Sequence, residues 1–192
     1  MERLQQLNDW LAVVLEKKSY GIEPASSDAS FRRYFRVTVD GETLIAMDAP
    51  PEHEDCRPFV RIAKLMADAG LNVPRVIAED IPRGFVLLTD LGTAGYLQAL
   101  NNDSANELFR DAIDALLRWQ LASRPGVLPA YDRALLTREL RLFPDWYVVR
   151  HRGITLTAAQ NTALDSIFEL ILTNNLAQPP VYVHRDYMPR NL

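Results

Sequence analysis

Hydrophobic residues recur at helical spacing in four stretches of the chain, which are separated by shorter runs rich in β-branched and aromatic residues. Leu4, Leu7 and Leu11 fall on one face of the first stretch. The periodicity predicts helices over residues 2–18, 56–69, 105–122 and 158–176. Two of the shorter runs, FRVTV and TLIAM, are joined by Asp40-Gly41, a dipeptide that suits the tight turn of a β-hairpin.

A second hairpin and a late strand complete the expected β-structure. VPRVIAED and GFVLLTD predict two further strands, and Val181-Tyr182-Val183 predicts a strand near the end of the chain. The order up to residue 92 is therefore helix, β, β, helix, β, β, and the later pattern is mainly helical. We expect an α+β fold with a small antiparallel sheet lobe at 1–92, a hinge at 89–92 and a helical lobe at 93–192.

Composition and charge restrict the class of protein. Apolar residues make up 48% of the 192 residues and charged residues 24%, as in ordinary globular domains. The net charge of -4 argues against generic nucleic-acid binding. Cys56 is the single cysteine, so we expect no internal disulfide and a reducing cytoplasm. No apolar run approaches the length of about 18 residues that a membrane-spanning helix needs.

The segment VHRDYMPRNL carries the candidate chemistry. His184-Arg185-Asp186, followed after four intervening residues by Asn191, has the spacing of the H-R-D-x-x-x-x-N loop of kinases. Phosphoryl transfer needs a carboxylate within reach of the attacking hydroxyl and an amide oxygen that can hold Mg²⁺. The alternative is a polar turn in which Asp186 and Asn191 satisfy loop backbone groups.

The chain also resembles the aminoglycoside phosphotransferase family, which shares the bilobal protein-kinase-like fold. The strings SDASFRRYFRV, MDAPPEHEDCRPFV and LLTDLG are similar to the group of kinases that phosphorylate the anomeric hydroxyl of N-acetylmuramate and N-acetylglucosamine. This resemblance implies ATP and Mg²⁺ as cofactors and an amino sugar as substrate. It implies that Asp186 is the catalytic base and Asn191 a Mg²⁺ ligand. His184, donating to nearby backbone, and Arg185 would be structural residues of the loop.

The nucleotide-binding elements depart from the kinase pattern. Met47 occupies the strand position of the usual phosphate-binding lysine, and small residues replace the glycine-rich loop. We expect phosphate contacts from the small residues and a cation from one of three arginines, although the arginines could instead form a solvated strand face. The candidates are Ser26, Ser27, Ser30, Arg32, Arg33 and Arg36.

Two further groups of residues are candidates for ligand contact. Thr89, Asp90 and Leu91 lie where the resemblance places the linker that meets the adenine edge, mostly through backbone atoms. Glu139 and Trp146 are candidates for the substrate site, since an indole ring can stack on a sugar. The alternative for Trp146 is a place in the core.

Two other functions stay open at this point. The acceptor could be an aminoglycoside, choline or another small alcohol. The protein could also be a pseudokinase or nucleotide-binding module, because the strand lysine is absent, although Asp186 and Asn191 speak against it. We expect the sequence to be part of a longer kinase whose second metal-binding Asp follows Leu192, and residues 1–192 alone to show no turnover. The sequence leaves the oligomeric state open.

Overall fold

A computed structural model describes residues 2–16, 19–27 and 31–192, except for the side chains of Ser26 and Ser27. The chain divides into two compact units, Met1–Trp119 with Met188–Leu192, and Gln120–Tyr187. The first contains α1 (Glu2–Val14), β1 (Gly21–Ser27), β2 (Arg33–Val39), β3 (Glu42–Asp48), α2 (Arg57–Asp68), β4 (Val76–Asp80), β5 (Phe85–Thr89), α3 (Tyr96–Ala99) and most of α4 (Ala105–Leu121). The lobe boundary predicted at residue 92 stays a prediction.

The first unit is built on one five-stranded sheet with the order β1-β2-β3-β5-β4, in which every neighbouring pair is antiparallel. Both predicted hairpins are present, and the α+β class is confirmed. Asp40 and Gly41 both have positive φ, 51° and 85°, as the turn between β2 and β3 requires. This turn sets the register in which Val39 faces Glu42.

Side chains alternate between two apolar clusters on opposite faces of the sheet. On one face, Leu7, Trp10 and Leu11 of α1 pack against Phe35 and other strand residues. On the other, the fully buried Met47 packs with Cys56, Val86 and Leu88, and the partly buried Phe59 and Val60 of α2 join this cluster. Each helix therefore covers one face of the sheet.

A buried carboxylate joins α1 to the strands. Asp48 ends β3 and is 0% exposed, and among the described residues it is the only polar or charged residue classed as buried. Its Oδ1 accepts a hydrogen bond from Nε of Arg3 at 2.7 Å, and its Oδ2 accepts from the guanidinium of Arg33. Arg33 and Asp48 are direct partners across β2 and β3. The same Arg3 donates to the Arg83 carbonyl at 2.6 Å.

The turn before β5 is fixed by a close backbone approach. The Ala49 amide donates to the Gly84 carbonyl at 2.8 Å. A Cβ at position 84 would lie 1.8 Å from the Ala49 carbonyl oxygen, and Gly84 has φ of +73°. Only glycine therefore fits between the end of β3 and the start of β5.

The second unit is helical. It contains α5 (Arg133–Leu142), which continues directly into a π-helical segment (Phe143–His151), followed by α6 (Ala158–Leu176). Ion pairs join α5 to α6, namely Arg133–Glu169 and Arg141–Asp165. Thr157 and Gln160 form a capping box at the start of α6, which satisfies backbone groups that the first turn leaves unpaired.

Two expectations about local structure were wrong. Residues 181–183 form no strand in the structure, and they pair with no strand of the sheet. Conversely, Gly21–Ser27 forms a full strand, β1, that was not predicted. Its sequence GIEPASS lacks regular alternation and contains proline, which suits an edge strand. No helix within the described ranges has the length and apolar character needed to cross a membrane.

We expect Asp48→Asn to destabilise the full-length protein by roughly 2–4 kcal/mol, because it removes a buried charge that two arginines share. The measurement is the free energy of unfolding in urea. Asp80→Asn is the matched control, since its ion pair with Arg83 is local to one turn and should cost below about 1 kcal/mol. Equal losses in the two variants would contradict a special role for Asp48.

Candidate functional site

The predicted hinge is held by an ion pair to the sheet. Nε of Arg36, on β2, donates to Oδ2 of Asp90 at 2.6 Å, and Nη2 lies 3.3 Å from Oδ1. The Gly92 amide donates to the same Oδ1 at 2.8 Å. The Asp90 side chain is only 4% exposed. The hydrogen bonds from Arg36 outweigh the effect of burial and lower the pKa of Asp90 to about 2.

The other residues of the first unit that were predicted to contact the nucleotide have different surroundings. The Thr89 hydroxyl accepts from the Arg75 amide at 2.9 Å, while the side chain of Leu91 is exposed. The side chains of Ser26 and Ser27, and the whole of Ser30, lie outside the described residues. Nucleotide contact by these residues therefore stays a prediction.

The lysine position and its usual helical partner are both replaced. Met47 is 0% exposed within the apolar cluster beneath α2. The sequence of α2, RPFVRIAKLMAD, contains no glutamate that could pair with a lysine. A lysine ammonium at position 47 would be buried without that partner, which is costly. This arrangement favours a phosphate-binding cation from a residue other than the one at position 47.

The three candidate arginines have different partners. Arg33 is on the α1 side of the sheet with Asp48, and Arg36 is paired with Asp90. Arg32 is on the α2 side, where its guanidinium lies 5.9 Å from the centre of the Phe59 ring and 3.3 Å from Glu54. Glu54 belongs to the segment that leads into α2. Arg32 and Glu54 therefore form an ion pair next to α2, the helix that has no glutamate of its own.

In the second unit, side chains hold the segment that precedes Asp186. The buried Tyr182 donates its backbone N–H to the Ser123 hydroxyl at 2.7 Å. Ser123 in turn donates to the Gln120 carbonyl at 2.5 Å. A hydroxyl thus substitutes for the sheet pairing that the predicted strand would have provided.

Glu139 lies beside the H-R-D segment. Nη2 of Arg185 donates to its Oε1 at 2.7 Å, and the Tyr131 hydroxyl donates to its Oε2. These hydrogen bonds, chiefly the one from Tyr131, lower the pKa of Glu139. The hydrogen bond to Glu139 raises the pKa of Tyr131. The substrate role expected for Glu139 stays a prediction, but both of its oxygens have partners within the protein.

The surroundings of His184 and Trp146 differ from those expected for one of them and decide between the alternatives for the other. The His184 ring meets the Tyr187 ring edge-on at 5.2 Å. Its Nδ1 is buried and finds no hydrogen-bond partner among the described residues, so the expected donation to backbone is not made from that atom. Trp146 lies in the π-helical segment and is 55% exposed, which excludes the core alternative. The Arg150 guanidinium covers one face of its indole at 3.9 Å.

The division into units falls inside the H-R-D-x-x-x-x-N segment, so Asp186 belongs to the second unit and Asn191 to the first. Both residues are exposed. Asn191 closes a 3₁₀ turn (Pro189–Asn191), with its amide donating to the Met188 carbonyl at 2.8 Å. The side-chain amide of Asn191 offers a hard oxygen donor of the kind that Mg²⁺ prefers, so this residue type fits the expected metal.

Comparison with known proteins gives a consistent result. Residues 21–192 match the phosphotransferase enzyme family. A Pseudomonas aeruginosa protein named N-acetylmuramate/N-acetylglucosamine kinase is 51% identical over 200 residues, covering 99% of this chain and 59% of the relative. The Pseudomonas putida protein of the same name has the same identity and coverage. A Neisseria meningitidis protein, also of that name, is 41% identical over 197 residues, covering 100% of this chain and 58% of the relative.

The low pKa of Asp90 makes the stabilisation from the Arg36–Asp90 ion pair pH-dependent. Because the folded pKa, about 2, lies below the unfolded value, the stabilisation is complete above about pH 4 and is lost as the pH falls towards 2. We expect Asp90→Asn to lower the free energy of unfolding of the full-length protein by about 1–2 kcal/mol at neutral pH, and by progressively less in acid. Glu169→Gln is a surface control, and a deficit for Asp90→Asn that is constant with pH would contradict the prediction.

Proposed function

Because the chain belongs to the phosphotransferase enzyme family, we propose that the full-length protein is an ATP- and Mg²⁺-dependent kinase. Its acceptor would be the anomeric hydroxyl of N-acetylmuramate or N-acetylglucosamine, and it would act in the cytoplasm. The observation that carries the proposal is the identity of 51% to relatives named for these two sugars. The chain spans 59% of the length of these relatives, so the proposal concerns the whole protein.

In this proposal Asp186 is the catalytic base. It accepts the proton of the sugar hydroxyl while that oxygen attacks the γ-phosphorus of ATP, and the bond to the bridging oxygen breaks to release ADP. Asn191 is a ligand of Mg²⁺, which would neutralise charge on the transferred phosphoryl group when bound. The exposure of both side chains supports these roles, since each is accessible to a ligand.

We further propose that Arg32 supplies the cation for the nucleotide phosphates. Three observations support it: Arg32 is on the α2 side of the sheet, it has a carboxylate partner in Glu54, and it is partly exposed. Arg33 is engaged with the buried Asp48, and Arg36 with Asp90. A guanidinium can bind phosphate oxygens in pairs, which compensates for the missing lysine.

The acceptor is tested with the full-length protein, radiolabelled ATP and Mg²⁺, against a panel of N-acetylated sugars, aminoglycosides and choline. We expect label in N-acetylmuramate and N-acetylglucosamine, at the anomeric position, and no label in the other acceptors. Label only in an aminoglycoside or choline would overturn the sugar assignment and leave the kinase assignment standing. Nucleotide binding without label in any acceptor would instead favour a pseudokinase.

Active-site variants serve as controls in the same screen. Asp186→Asn should lower turnover by about 10²–10⁴, the scale of a positioned general base, and should leave nucleotide affinity nearly unchanged. Asn191→Ala should raise the Mg²⁺ concentration needed for half-maximal rate. Turnover near that of the wild type in Asp186→Asn would exclude Asp186 as the base.

The two neighbouring arginines make a matched pair for the phosphate proposal. We expect Arg32→Ala to raise the KM for ATP about tenfold with little loss of stability, because its guanidinium would contact the phosphates. Arg33→Ala should lower the free energy of unfolding instead, because it removes a donor to the buried Asp48. KM for ATP and unfolding in urea are measured on both variants, and an unchanged KM in Arg32→Ala would exclude this cation.

A further inference from the structure

The residue before Asp186 has an unfavourable backbone conformation. Arg185 has φ of 73°, in the left-handed region where the Cβ of an L-residue crowds the following carbonyl oxygen. Two other non-glycine residues of the described chain have positive φ, Glu16 just after α1 and Asp40 in a hairpin turn. Arg185 lies in neither setting. Such a conformation persists only where surrounding contacts enforce it, often at functional sites.

The contacts that enforce it converge on Glu139. The Arg185 guanidinium donates to Glu139 at 2.7 Å and lies 5.8 Å from the centre of the Tyr131 ring. The Tyr131 hydroxyl donates to the second oxygen of Glu139. The Glu139 carboxylate is therefore held by Tyr131 at one oxygen while it accepts from Arg185 at the other.

Glu139 itself is on a well-anchored helix. The Asp132 side chain caps the start of α5 by accepting from the Leu135 amide at 2.9 Å. Arg133 of the same helix pairs with Glu169 of α6 at 2.9 Å. Because α5 is fixed at its start and against α6, Glu139 is a stationary acceptor for the Arg185 side chain.

We propose that Glu139 is a positioning residue, which holds residue 185 in the left-handed conformation through the Arg185 side chain and so sets the direction of the Asp186 carboxylate. The inference rests on the proposed function for the role of Asp186. Rotation of the backbone at residue 185 would swing the next peptide and its side chain. A misplacement of about 1 Å at a reacting group can cost on the order of 10² in rate.

The experiment compares Glu139→Gln, Arg185→Ala, Arg185→Gly and the double variant Glu139→Gln/Arg185→Ala in the full-length protein. Asp55→Asn is the matched control, since it breaks an exposed arginine–carboxylate pair outside this unit, Arg57–Asp55. We expect kcat to fall about tenfold in Glu139→Gln and in Arg185→Ala, with the KM values for ATP and sugar unchanged. The double variant should be no slower than Arg185→Ala, because both changes break the same contact between Arg185 and Glu139.

Arg185→Gly gives the most specific readout. Glycine adopts the left-handed conformation without the Cβ penalty, so we expect a kcat several-fold higher than that of Arg185→Ala, although glycine removes more of the side chain. If Arg185 acted only by its charge or by binding substrate, glycine would be no better than alanine. That result would overturn the proposal.

The remaining outcomes are also decisive. A raised KM for the sugar with unchanged kcat in Glu139→Gln would make Glu139 a substrate ligand and overturn the positioning role. Amide hydrogen exchange of peptides covering residues 182–188 gives a readout that needs no catalysis, and we expect faster exchange in Glu139→Gln than in Asp55→Asn. If the wild-type protein phosphorylates no acceptor, the proposed function fails. Unchanged hydrogen exchange in Glu139→Gln would separately refute the positioning role of Glu139.

Discussion

The first unit depends on the burial of one carboxylate. Asp48 cannot be solvated at its position, so its charge has to be satisfied by protein donors. Those donors come from Arg3 in α1 and Arg33 in β2, and Arg3 also reaches the Arg83 carbonyl in the turn before β5. The contacts of one charge thus join a helix, a hairpin and a turn.

This arrangement also limits which residues are available for nucleotide chemistry. Arg33 is engaged with Asp48 on the α1 side and Arg36 with Asp90, while Arg32 pairs with Glu54 on the α2 side. Met47 keeps the α2 face apolar where a kinase lysine would need a glutamate. In this sheet, Met47 and Asp48 therefore stabilise the fold, the first in an apolar cluster and the second through ion pairs.

Much of this could be predicted from the sequence, where the determinants are local. The Asp40-Gly41 turn fixes the hairpin register, and counting residues outward along both strands from this turn pairs Arg33 with Asp48. The contacts of Glu139 and Asp90 could not be obtained this way, because they join segments whose relative placement no periodicity encodes. The strand expected at 181–183 failed for a related reason: β-propensity is realised only where a neighbouring edge is available.

The Arg3 contacts have a consequence for biosynthesis. Helix α1 is synthesised before the residues that hold the Arg3 guanidinium, which are Asp48, Arg83 and Phe85, whose ring lies 4.9 Å from it. A ribosome adds roughly 5–20 residues per second, so the helix emerges seconds before its binding site is complete. During that interval the apolar face of α1 lacks the part of its packing surface that Phe85 and Leu87 of β5 supply. Helix α1 can therefore make its full set of contacts only after β5 has been synthesised.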